Sequence, residues 1–132
     1  LAIGIGCRAG ATAEAVVGLV RTALARLEPA LAGRPAALFT SRGKLADLGL
    51  VKAATLLGLP LVHLPEADLA AYADRTVTRS ERVVALFGVP SIAECAALAG
   101  AGPGSRLVLT RISEAGVTCA VATLAAPAEA GA

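Results

Sequence analysis

Leu1-Ala-Ile-Gly-Ile-Gly-Cys-Arg-Ala-Gly-Ala-Thr12 is the stretch whose reading decides the fold. Leu1 to Gly6 has the short apolar character of a buried strand. A turn with Cys7, Arg8 and Gly10 follows, and Thr12 then stands where a helix needs its N-cap. Glycines let a backbone approach a ligand closely, and a helix start presents unpaired N–H groups and partial positive charge. Arg8 adds a fixed cation. The turn suits an anion, a carboxylate or a phosphate, and strand-turn-helix is the opening unit of an α/β sheet.

Working outward, Ala13, Val16, Val17, Val20, Ala23, Leu24 and Leu27 form the apolar stripe of a helix reaching about Leu27, which Glu28-Pro29 ends. Ala36 to Thr40 predicts a second strand, and Asp47 caps a second helix running to Leu57, with Gly58 in the left-handed stop position. Leu61 to Leu64 is a third strand. A short helical turn, Glu66 to Tyr72, precedes the polar segment Ala73 to Arg79, which is expected to be the mobile loop. Ser80 caps a brief helix to Phe87. Ser91-Ile-Ala-Glu94 is an S-x-x-E capping box opening a helix to about Ala99. Arg106 to Arg111 and Val117 to Leu124 are strands joined by Ile112 to Gly116, and the small-residue tail 125–132 is expected to fray. The expected fold class is α/β. It is read as a three-layer α/β/α domain spanning 1–132, with a mixed, mostly parallel sheet of about five strands and an antiparallel C-terminal pair.

Composition narrows the function. The chain has 132 residues, of which 56% are hydrophobic and 2% aromatic. The core must therefore be built from Leu, Val, Ile and Ala, and helices can pack closely. A net charge of +2 and one Tyr with two Phe argue against nucleic acid. No apolar run approaches the roughly 20 residues of a membrane span. Cys7, Cys95 and Cys119 are odd in number and widely spaced, without C-x-x-C. They fit a reducing cytoplasm and offer neither a disulfide framework nor a metal site. No cofactor is expected.

Several segments admit more than one reading. Gly4-Ile-Gly-Cys-Arg-Ala-Gly10 has the spacing G-x-G-x-x-x-G rather than the dinucleotide G-x-G-x-x-G. The second strand ends in Thr40-Ser41-Arg42 instead of a ribose-binding acid, so a 2′-phosphate cofactor and a ligand-free turn both stay open. Cys7 beside Arg8 is placed where a thiolate is stabilised, and His63, the one histidine, is its candidate base. Without such a contact, Cys7 is a small apolar group. Thr40-Ser-Arg-Gly-Lys44 with Asp47 gathers cations, hydroxyls and a carboxylate at a strand end, where open sheets collect ligands. Read structurally, the same turn is a solvated loop with a capping aspartate.

Taken in order, these segments resemble the family of CobE and the C-terminal domain of CbiG, proteins of cobalamin biosynthesis. The matching pieces are Gly4-Ile-Gly-Cys-Arg8 with Thr12, Ala13 and Glu14, then Lys44 with Asp47-Leu-Gly-Leu50, then Leu57-Gly-Leu-Pro60. Ser80, Gly88-Val-Pro-Ser-Ile-Ala-Glu94 with Ala97-Leu98, and Val117-Thr-Cys-Ala-Val-Ala122 complete the pattern. Asp47 stands where the family usually has a glutamate, and Arg111 where a lysine is common. The chain is expected to be of the stand-alone CobE type.

The resemblance implies binding of a precorrin-type tetrapyrrole in an auxiliary or carrier role, with other enzymes of the pathway as partners. Such macrocycles are fringed with carboxylates and need several separated cations. Arg8, Arg42, Lys44 and Arg111 are the expected cations. Gly4, Gly6, Cys7 and Thr12 around the first turn, and Ser91 of the capping box, are the other expected ligand-binding residues. An enzyme is the alternative, opening a ring-A lactone as longer CbiG proteins are understood to do, with Asp47 or Glu94 as general base. A third reading is an accessory subunit that binds no tetrapyrrole.

Overall fold

Alternation along the first strand assigns each residue to one side of the sheet. In β1 (Ala2–Cys7), Ile3 and Ile5 join the larger hydrophobic core, while Gly4 and Gly6 present bare backbone to the opposite side. The computed structural model describes residues 1–44 and 47–124, and the tail 125–132 lies outside them. Strand order is β3-β2-β1-β5-β4. β1 pairs in parallel with β2 (Ala37–Ser41), matching Ile3 to Leu38, and β2 pairs in parallel with β3 (Leu61–Leu64). β5 (Val117–Leu124) runs antiparallel both to β1 and to β4 (Ser105–Glu114). Four of the five strands therefore run in one sense, the mixed, mostly parallel α/β sheet expected from the sequence.

On the Ile3/Ile5 side, α1 (Ala13–Ala25) buries Val16, Val20 and Ala23 against the sheet. Thr12 Oγ1 accepts from the Ala15 N–H at 3.1 Å, the predicted cap. α3 (Leu48–Leu57) packs beside it through Leu50 and Ala53. Gly58 ends α3 at φ 68°, a conformation that L side chains rarely adopt. Pro29 does not merely stop α1: it sits at the first position of a one-turn helix, α2 (Pro29–Ala32), where its fixed φ and missing N–H cost nothing.

The other face carries α6 (Ile92–Ala101), whose Ala93, Ala97 and Leu98 lie on Ala120 and Ala122 of β5. A Cβ at Gly4 would overlap the Ala93 carbonyl oxygen and come within 2.6 Å of the Ala97 nitrogen. Helix and strand therefore meet backbone to backbone. A Cβ at Gly6 would lie 3.5 Å from Ile92, so the helix start sits over the carboxyl end of β1. α4 (Glu66–Ala70) and α5 (Glu81–Phe87) connect β3 to α6, with Leu69, Val89, Ile92 and Cys95 forming a small core between them.

Two loop expectations are corrected. β4 continues to Glu114, leaving only Ala115 and Gly116 in the turn, at φ 54° and 80°, as a tight two-residue hairpin requires. The segment Ala73–Arg79, expected to be mobile, is held by side chains. The Arg75 guanidinium donates to the Ser105 carbonyl, and the Val77 and Thr78 N–H groups donate to Glu94. Among the described residues, no helix is long and apolar enough to cross a membrane.

The glycines carry a prediction of opposite signs. Gly4→Ala should destabilise by about 3 kcal/mol because α6 must move off the strand. Gly18→Ala, exposed in mid-α1 with open space around it, should stabilise by about 1 kcal/mol. Urea unfolding of both variants checks the pair.

Candidate functional site

The carboxyl ends of β1, β2 and β4 open onto one cleft of about 720 Å³. This is the edge at which open sheets bind ligands, beside the point where the connections part to opposite faces. Gly6, Cys7 and Arg8 form one wall, and Ser41, 2% exposed, lies at the end of β2. Ser91 and Ile92 bring the start of α6 to the floor. α5 supplies a second wall with Ser80, Arg82, Val83 and Leu86. The β4–β5 hairpin closes the third side with Arg111, Ser113, Glu114 and Thr118.

Three guanidinium groups thus face one concavity from three elements. Among the described residues no carboxylate forms a salt bridge with Arg8, Arg82 or Arg111; the ion pair found there joins Arg79 and Glu81 at 2.6 Å. Arg8 is braced locally. Its N–H donates to the Gly116 carbonyl at 2.9 Å, and its stem lies where a Cβ on Gly116 would come within 3.3 Å of it. Between the cations the cleft is apolar, through Val83, Leu86 and Ile92, and Leu86 is 63% exposed. An anion with an apolar body matches this pairing of charge and surface.

The residues predicted from the sequence divide. Gly6, Cys7, Arg8, Ser91 and Arg111 come together at the cleft. Gly4 does not: it is buried beneath α6, where its missing side chain serves packing rather than a ligand. Thr12 is occupied as the α1 cap, and Arg42 is exposed at the start of the short 42–44 turn, outside the cleft lining. The Lys44 side chain lies outside the described residues. Asp47 Oδ1 caps α3 through the Leu50 N–H at 3.1 Å, and its Oδ2 accepts from Cys7 Sγ at 3.5 Å. Glu94 is fully buried, its carboxylate holding Val77, Thr78 and Arg111. The base predicted for Cys7 is elsewhere: His63 stands opposite Thr40 on β3, away from the cleft lining.

Sequence reasoning missed Arg82 and under-weighted Ser41. Arg82, like Arg21, reads in the sequence as an exposed helical arginine, and only the placement of α5 makes it a cleft residue. Ser41 carried a usable signal, as the last residue of a parallel strand.

Residues 1–122 match the family model described as Cobalamin synthesis G C-terminus. The chain belongs to this CobE/CbiG C-terminal family. Protein CobE of Sinorhizobium sp. is 34% identical over 123 residues, covering 92% of this chain and 79% of that protein. The fold matches a crystal structure of CobE, a protein from the cobalamin (vitamin B12) biosynthetic pathway, with TM-score 0.81 at 34% identity. That match covers 94% of this chain and 89% of the other. The cobalamin biosynthesis protein ChiG of Agrobacterium tumefaciens str. C58 matches with TM-score 0.66 at 32% identity, over 95% and 98% of the two chains. The family places the chain among proteins of cobalamin biosynthesis.

Within this family fold the three thiols have unequal access. Burial pushes Cys119 up to about 12, and burial, with a smaller contribution from the Glu94 charge, pushes Cys95 up to about 11. Raised values keep both groups as thiols well above neutral pH, and the thiolate is the reacting form. Cys7 lines the cleft and is partly exposed. An aromatic disulfide reagent at pH 8 should therefore label Cys7 alone in the native protein. Cys95 and Cys119 should react once denaturant is added. Rapid native labelling of all three would refute this assignment.

Proposed function

We propose that the cleft binds a precorrin-type tetrapyrrole through its peripheral carboxylates and that the protein holds this intermediate for another enzyme of the cobalamin pathway. The observation that carries the reading is the set of three guanidinium groups, Arg8, Arg82 and Arg111, around an apolar cleft of about 720 Å³. Arginine forks fit carboxylates bidentately, and the spread over three elements suits a ligand with several anionic arms. Val83, Leu86 and Ile92 offer the macrocycle an apolar bed. Hydroxyls of Ser41, Ser91 and Thr118 supply neutral donors and acceptors between them.

Holding is favoured over turnover because both candidate bases have other work. Asp47 is a helix cap and the acceptor of the Cys7 thiol, and the Glu94 oxygens receive four donors. A general base must reach the proton it abstracts. Neither carboxylate lines the cleft.

Absorbance titration with a carboxylated precorrin or hydrogenobyrinic acid should give a saturable spectral shift that then stays constant. Arg8→Ala and Arg111→Ala should each weaken binding about tenfold, the scale of a lost hydrogen bond to a charged group. Arg21→Ala on α1, outside the cleft, should leave it unchanged. Affinity should also fall as salt is raised. A chromophore that goes on changing after binding would replace the holding role with catalysis. The absence of any shift would remove the tetrapyrrole from the reading.

A further inference from the structure

The geometry points to Glu94 as the positioning residue that sets the width of the cleft: its buried carboxylate ties the segment entering α5 to the bulged strand β4, and so spaces Arg82 from Arg111. Oε1 accepts from the Val77 N–H at 2.7 Å and the Thr78 N–H at 3.0 Å. Oε2 accepts from Thr78 Oγ1 and from the Arg111 N–H, both at 2.9 Å. The side chain is 0% exposed, and no cation neutralises it among the described residues. An isolated buried carboxylate is costly unless hydrogen bonds replace its water, and these four donors do that.

Two details mark the arrangement as directed at the cleft walls. In a complete capping box the glutamate returns to the N–H of its own N-cap. Here only the serine half follows that pattern, Ser91 Oγ accepting from the Glu94 N–H at 3.2 Å, while the carboxylate reaches two other elements. On β4, Leu109 pairs with Val121 and Ile112 with Cys119, so three steps on β4 face two on β5. The extra residue is a bulge, and the Arg111 N–H, beside it, points to Glu94 rather than into the ladder. Thr78 lies two residues before Ser80, the N-cap of α5, whose next turn carries Arg82 and Val83. One carboxylate, fixed at the start of α6, therefore sets where two of the three arginine-bearing walls stand.

This inference rests on the tetrapyrrole reading only for its ligand arm, and the test separates the two. Glu94→Gln keeps the shape but replaces one acceptor oxygen with a donor, so the N–H groups on both sides can no longer be satisfied together. Amide exchange followed by NMR should accelerate about tenfold or more at Arg111 or at Val77 and Thr78. The Ile3, Ile5 and Val121 amides of the central strands should keep their protection. With uroporphyrin as the probe, Glu94→Gln should weaken binding about tenfold. Arg111→Ala should then cost less in the Glu94→Gln background than in the native protein, since a displaced wall no longer presents that arginine.

Unchanged exchange at all three amides, or losses from Glu94→Gln and Arg111→Ala that simply multiply, would overturn the positioning role. Failure of the native protein to bind uroporphyrin would count against the tetrapyrrole reading, and the exchange experiment would still decide the clamp. If Glu94→Gln does not fold, Thr78→Val deletes only the hydroxyl donor to Oε2. It should speed exchange at Thr78 and Arg111 together; no change at either would overturn the clamp.

Discussion

The backbone contact between α6 and β1 at Gly4 is the constraint on which the rest of the molecule depends. With no side chain at Gly4 and only methyl groups at Ala120 and Ala122, the helix lies closer to the sheet than Leu or Val would permit. Dense packing of this kind leaves little freedom for sliding, because any shift opens voids or forces overlap. α6 is thereby held with its first turn over the carboxyl end of β1 and the amino end of β5. Ser91, Ile92 and Glu94 inherit their positions from that contact. The small-residue composition is thus not a weak core but the means of placing a helix terminus.

From that fixed terminus, organisation spreads through hydrogen bonds rather than through hydrophobic burial. α5 is short, and its Ala85 and Leu86 are exposed. Its entry segment borrows rigidity from Glu94 and from Arg75, which reaches the Ser105 carbonyl. The hairpin borrows rigidity from Arg8, whose N–H meets Gly116. A cleft made from three otherwise separate elements can then keep its cations apart, with no salt bridge to Arg8, Arg82 or Arg111 among the described residues. Repulsion among them is tolerated because each guanidinium is partly or fully exposed to water, which screens it.

What the sequence made legible follows from the range of the interactions involved. Thr12, Asp47, Ser80 and Ser91 were all identified as caps, and Gly58 as a left-handed stop, because each acts within one helical turn. The β1 strand, the strand at Leu61–Leu64 and the antiparallel final pair were legible from alternation and turn chemistry. Gly4 was misread as a ligand-facing glycine. The residues that explain it lie some ninety positions away in α6, and a glycine at a turn and a glycine under a helix look identical in one dimension. Glu94 misled in the same manner, since S-x-x-E describes its local fit perfectly well while its carboxylate answers to Val77, Thr78 and Arg111. Arg82 gave no signal, and Ser41 only that of a strand end. The family resemblance, by contrast, was carried by the order of several short pieces, and that order survives even where individual roles are misassigned.

Under the proposed holding role, the chemistry of the cleft also bears on how a ligand would be held without being gripped. Aromatic residues form 2% of the chain, so broad ring stacking is not available to retain a macrocycle. Exposed arginine–carboxylate contacts are individually weak, because water and salt compete for both partners. Several such contacts made together nevertheless select a ligand by the spacing of its arms, since each misplaced arm leaves a cation and a carboxylate unmatched. On the proposed reading, selectivity would reside in geometry, and geometry in Glu94 and the α6 contact beneath it. Release needs only the sequential exchange of exposed contacts for water or for another protein's cations. In the role proposed, a rigid frame bearing weak, solvent-facing charges would discriminate among polycarboxylates and still pass its ligand on.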